Sequence, residues 1–219
     1  MNFLFSSLGK KIQIALSGFL LCFFLLFHLI NNLTLIIGPQ IFNPMVEALE
    51  SIKPLIRIME FGLLMILLMH IVNAITLTFS NNKQKPSKYL VTPTKTSSIN
   101  SRTMIISGTI ILLFFIIHLK YLWYTYQTHN FKIDETYYDV ILRNEFGYLG
   151  HTPTAIFYVL AILFIAMHIK HGFQSALKTF GILEKSKFAF LYKIAIIFWA
   201  IIPALFILIV LLIQFGYIK

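Results

Sequence analysis

The chain has 219 residues, 58% of them hydrophobic and only 12% charged, with a mean hydropathy of +0.81. An average soluble domain is ~45–50% apolar and ~25% charged, so this composition excludes a protein built around a water-soluble core and implies a polytopic membrane protein. The net charge of +10 is explained by basic loops on one face of a membrane rather than by nucleic acid, and the single cysteine, Cys22, leaves no intrachain disulfide.

Five apolar runs follow in order. The first covers about 12–37, with Gln13, His28, Asn31 and Asn32 as polar members. It is too long for the apolar core of a signal peptide, and no small-residue cleavage site closes it, so a retained span is expected. The loop after it holds Gly38, Pro39, Pro44 and Pro54, which break helices. Span two covers about 56–79 and contains Glu60 and His70. A polar stretch with two prolines leads to span three, about 103–126, with His118 and then Lys120. The segment 127–151 carries Asp134, Glu135, Asp139 and Glu145, and a short interfacial helix is expected in it. Span four covers about 154–177, uncharged until His168, Lys170 and His171 arrive together. Span five covers about 192–215, has no histidine, and carries Pro203 as a kink. The fold expected is all-α: a single transmembrane domain over 1–219 whose first four helices form a bundle. No repeat of fixed period, no P-loop and no dinucleotide fingerprint is visible.

Loop charges orient the chain. Side one, with the N-terminus and the loops after spans two and four, carries ten Lys and Arg against one acid, Glu184; side two carries five bases against six acids. The excess places side one, and the N-terminus, in the cytoplasm and the C-terminus outside.

Four successive spans each hold one histidine well inside the apolar run, and an ionisable residue there is costly enough to suggest function. Measured from the side-one ends Ile12, Phe79, Thr103 and Leu177, the heights of His28, His118, His70 and His168 are about 24, 22, 14 and 14 Å at 1.5 Å per residue. They fall into two pairs, His28 with His118 and His70 with His168, separated by roughly 9 Å along the normal. Two histidines at one depth on two helices are what a six-coordinate haem iron requires, since the porphyrin leaves two axial positions, and a helix bundle is a normal place to build such a site. Two pairs at two depths would make two haems stacked across the membrane. Zinc is a weaker match, because a closed site wants about four ligands. His171 shares a face with His168 but lies nearer the side-one interface. His129 and His151 fall in the side-two loop region. Two rival readings remain: a transporter or proton channel using a histidine relay, and a haem-free structural anchor.

The ordered set of segments resembles the cytochrome b membrane subunit of succinate:quinone oxidoreductases (succinate dehydrogenase or fumarate reductase) in its five-helix, two-haem form. SSLGKK followed by ALSGFLLCFFLLFHLINNL is similar to the family's first helix, and PLIRIMEFGLLMILLMHIVNAITLT to its second. INSRTMIISGTIILLFFIIHLKYLW is similar to the third, and FIAMHIKHGFQSALKTFG to the fourth. The resemblance covers essentially the whole chain. It implies that the two haems are haems b, with axial ligation of the distal haem iron by His28 and His118, and of the proximal one by His70 and His168. It also implies a flavoprotein subunit with the succinate site, an iron–sulfur subunit docked on the cytoplasmic face, and electron transfer to or from membrane quinone, with menaquinone as the expected species. The expected location is the bacterial cytoplasmic membrane. Haem propionates need donors, and the side-one candidates are Lys11, Arg102, His171 and Lys178. For the quinone the candidates are Glu60 near the side-two end, which also has Arg57 beside it as an ion-pair partner, and Gln13 with Ser17 near the side-one end. One departure stands out: some two-haem fumarate reductases carry a glutamate two residues before the span-four ligand, where this chain has Ala166.

Overall fold

A computed structural model describes residues 3–83, 97–182 and 188–219, with side chains described outside 81–103. Several side-one charges used for orientation (Lys85, Lys88, Lys95, Glu184, Lys185, Lys187) therefore lie outside the described residues. The protein is all-α, with no strand among the described residues, and five helices are long and apolar enough to cross a membrane. It is a multi-pass membrane protein.

Helix α1 (Ser7–Ile37) is started by Ser6, whose side chain accepts the Gly9 amide at 3.0 Å, as a helix N-cap should. It stops at Gly38, whose φ of 122° suits only glycine, and Pro39 then opens α2 (Pro39–Ser51) at a position that has no intrahelical N–H bond to lose. The prolines expected to keep this loop non-helical thus do not: one starts α2, and Pro44 is carried inside it. Helix α3 (Lys53–Lys83) follows after a one-residue break.

Span three is α4 (Ser97–His118), a π-helical turn (Leu119–Trp123) and α5 (Tyr124–Thr128), stopped by His129 in a left-handed conformation at φ 48°. The expected interfacial helix is α6 (Tyr137–Leu142), started by a reciprocal Thr136–Asp139 capping box. Helix α7 (Thr152–Thr179) is span four. Span five is α8 (Ala189–Ile196), a second π turn (Ile197–Ile201) and α9 (Ile202–Gln214). That turn precedes Pro203, which has no N–H to give to the carbonyl one turn back, so the register shifts there.

Helix α1 packs on α3 and on α7, and α7 packs on α4, so the four histidine-bearing helices run α3–α1–α7–α4 around the bundle. Helix α9 lies against α1 and α7 from outside. The close approach of these elements rests on small residues such as Ala155 and Ala161, both buried, with Leu29, Leu35, Tyr158, Ile202 and Ile209 filling the space between. None of the most apolar 18-residue stretch of α3 is buried inside the protein, which in water would be untenable but suits lipid.

Candidate functional site: two facing histidine pairs

Neither α1 with α4 nor α3 with α7 is a packed neighbour pair among the described residues. These are the diagonals of the bundle, and the histidines reach across them. The rings of His28 (α1) and His118 (α4) have centroids 5.8 Å apart at an interplanar angle of 88°. Those of His70 (α3) and His168 (α7) are 6.4 Å apart at 61°. Two imidazoles bound to opposite sides of one metal ion at ~2 Å each hold their centroids ~6 Å apart. Both pairs stand at that separation. Among the described residues no group of three or more His, Cys, Asp or Glu comes together, so neither pair is part of a zinc-type cluster. Two ligands on opposite sides is what an iron already held by a porphyrin asks for.

The side-one pair is held by hydrogen bonds from its neighbouring helices. Ser17 Oγ lies 2.9 Å from His70 Nδ1, and Ser107 Oγ lies 3.1 Å from His168 Nδ1. The side-two pair is framed by rings: Phe24 stacks on His28 and Phe114 on His118, each with centroids 5.4 Å apart. Its polar contacts are long, with Tyr158 Oη at 3.4 Å from His118 Nδ1 and Asn32 Nδ2 at 3.5 Å from both nitrogens of His28. The Asn32 amide also donates to the His28 carbonyl at 2.8 Å.

Placing His70 level with Ser17 changes the spacing between the two levels. Ser17 and His28 are eleven residues apart on one helix, so the levels differ by ~16 Å before tilt, not the ~9 Å obtained from the ends of the apolar runs. The cause is that α1 begins at Ser7 and α4 at Ser97, well before Ile12 and Thr103. Both helices continue through polar residues toward side one, so the baselines used for His28 and His118 were set too high.

At the side-two end a cleft of ≈ 200 Å³ opens beside His28 and His118. Glu60 lies in it and is the hub of its polar wall. One carboxylate oxygen accepts from Arg57 Nη1 at 2.7 Å, and the other from Trp123 Nε1 at 2.9 Å and Gln127 Nε2 at 3.5 Å. Arg57 also donates to Gln127 Oε1. The π turn after His118 sets the rotation that brings Trp123 and Gln127 to this wall. Asn31, on the same cleft, keeps a buried Oδ1 without a hydrogen-bond partner.

The remaining predicted residues are placed as follows. Gln13 is satisfied on both sides, donating to Leu4 O at 2.8 Å and accepting from Asn73 Nδ2 at 2.9 Å. Ser17 is fully buried and engaged with His70. Lys11 and Lys178 are exposed, and His171 is half-buried one turn beyond His168. The side chain of Arg102 lies outside the described residues. His129 approaches Glu50 at 3.8 Å, and His151 bonds Thr154 Oγ1 at 2.9 Å, both away from the histidine pairs. Ser107, Trp123 and Gln127 were not singled out from the sequence. For Ser107 a signal was present, since the dipeptide Ser-Gly occurs at 17–18 and again at 107–108.

No family model, curated protein or solved structure matches this chain.

Proposed function

We propose that this chain is the di-haem b membrane anchor of a succinate:quinone oxidoreductase, carrying electrons between an iron–sulfur subunit and membrane quinone. The observation that carries the reading is the pair of diagonal histidine contacts, each at the separation of two axial imidazoles on one metal ion. His28 with His118 would hold the side-two haem, and His70 with His168 the side-one haem. Bound there, iron porphyrin supplies reversible one-electron chemistry in a low-dielectric environment. The protein's part is to supply neutral imidazoles, fix their orientation and keep the bundle interior apolar. A histidine relay for protons is less favoured, because between the two levels the helices offer mainly Leu, Ile and Phe.

For the quinone, the side-two cleft fits best. Glu60 lines a cleft next to the outer pair and is the one carboxylate inside the five apolar spans. Oxidation of a quinol there releases two electrons and two protons, and Glu60 is the in-span carboxylate that would take one of those protons. Lys53 and Arg57 line the same cleft and are suited to propionate carboxylates. With side one cytoplasmic, as loop charges indicate, the flavoprotein and iron–sulfur subunits would dock at the end holding the side-one pair. The membrane in question is then a bacterial cytoplasmic membrane.

Pyridine haemochrome quantitation on the purified chain tests this. Two haems per polypeptide are expected, one in His168→Ala, and two in His171→Ala. A haem-free protein, or equal loss in both variants, would refute the reading.

A further inference from the structure

Helices α1 and α4 carry the same motif. Ser17-Gly18 precedes His28 by the interval at which Ser107-Gly108 precedes His118, eleven residues from serine to histidine. Eleven residues make three turns, so serine and histidine share a helix face and sit ~16 Å apart along it. The two parts of each unit serve different levels. His28 and His118 meet at the side-two level, while the Ser-Gly part abuts the side-one histidine of the next helix, α1 against α3 and α4 against α7.

Each serine also has a carbonyl partner on its own helix. Ser17 Oγ lies 2.6 Å from Gln13 O and Ser107 Oγ lies 3.1 Å from Met104 O, and a carbonyl can only accept. A hydroxyl that gives its proton to its own helix in this way leaves an oxygen lone pair free to accept from histidine Nδ1–H. In that arrangement Nδ1 carries the proton and Nε2 presents its lone pair. The glycines bring the neighbouring helix close to the rings. A Cβ at Gly18 would stand 3.5 Å from His70 Cε1, and one at Gly108 would stand 3.7 Å from His168 Cε1. A methyl there would already be in van der Waals contact with the ring.

We propose that Ser17 and Ser107 are matched positioning residues that hold His70 and His168 in the tautomer and orientation needed to ligate haem iron through Nε2, and that this support belongs to the side-one level alone. Among the described residues the side-two histidines have no partner closer than 3.4 Å on a ring nitrogen. An acceptor on the far nitrogen makes an imidazole a stronger donor to a metal and is a common support for ligating histidines. The proposal rests on the haem reading above and deepens it.

The test is a redox titration with EPR of the ferric protein, in which the low-spin signal of each haem reports the angle between its axial ring planes. The haem missing from His168→Ala identifies the side-one centre. Ser17→Ala and Ser107→Ala should each raise the midpoint potential of that centre and move its EPR signal, leaving the other centre unchanged. Ser17→Cys, close in volume but a weak acceptor, should behave like the alanine variant, and Ser17→Thr, which keeps the hydroxyl, like the unmodified protein. Unchanged potentials, equal shifts in both centres, or a cysteine variant indistinguishable from serine would overturn this proposal while leaving the two haems in place. An unmodified protein without haem would overturn it together with the proposed function.

Discussion

Replacing Arg143 with alanine tests how the side-two end of the bundle is closed. Its guanidinium is one of the few charged groups buried in the protein. It donates through Nε to Glu135 Oε1 at 2.7 Å, through Nη1 to Tyr148 Oη at 3.0 Å, and through Nη2 to Asn130 O at 2.9 Å and to the second Glu135 oxygen. The side chains of Arg143 and Glu135 are 7% and 8% exposed. Tyr148 passes the connection on to Thr125 at 2.9 Å, so the clamp ties the segment after α5 back onto span three. Alanine would leave the Glu135 carboxylate buried without its cation, and breaking one side of such a pair costs about 3–5 kcal/mol. At about 2–4 °C per kcal/mol for a chain of this size, the melting temperature in detergent should fall by roughly 6–20 °C. The double variant Arg143→Met, Glu135→Leu removes both charges and should recover most of that loss, because a packed apolar pair often matches a buried ion pair. Differential scanning fluorimetry with limited proteolysis of the 129–151 segment reads both effects. A single variant within about 1 kcal/mol of the parent, or a double variant as unstable as the single one, would refute the reasoning.

The same pair predicts a pH dependence. The Arg143 guanidinium holds the Glu135 carboxyl below its ordinary value of 4.5. A group lowered on folding stabilises the folded state above its unfolded value and loses that stabilisation as pH falls through the folded one. Thermal stability should therefore drop as pH falls below about 4.5, and the Met/Leu double variant should lack this part of the acid loss. At the cleft, Glu60→Gln keeps an acceptor for Trp123 but cannot take up a proton at neutral pH. Haem reduction by a soluble naphthoquinol should slow by ~10²- to 10⁴-fold, while haem content and the dithionite-reduced spectrum stay the same. An unchanged rate would move quinone chemistry away from this cleft.

Much of the architecture was legible because hydropathy is a local property. The number of spans, the order of the histidines and the helix carrying each could be read from runs of Ile, Leu and Phe. The ends of the helices were less so. Ser7–Lys11 and Ser97–Arg102 are polar, and hydropathy marks where lipid stops, whereas the backbone keeps its hydrogen bonds for another turn or more. The α2 helix was hidden for a related reason: Pro39 sits where proline costs nothing, and Pro44 is tolerated inside a helix packed by Phe42 and Val46. Glu60 was legible as an unusual acid, and Arg57 as its neighbour, but Trp123 and Gln127 reach it from a distant part of the chain through a π turn that no local pattern announces.

Composition and the spacing of apolar runs by themselves determined a five-span helical membrane protein with one histidine deep in each of four spans, since a bilayer demands ~20 apolar residues per crossing and makes each exception conspicuous. Only the tertiary structure decided that the histidines meet across the diagonals of the bundle, that Ser17 and Ser107 stand beside the side-one histidines, and that Glu60 lines a cleft beside the side-two pair. Each of these depends on how a helix is rotated about its own axis, and that rotation is set by packing against its neighbours, not by any residue read alone.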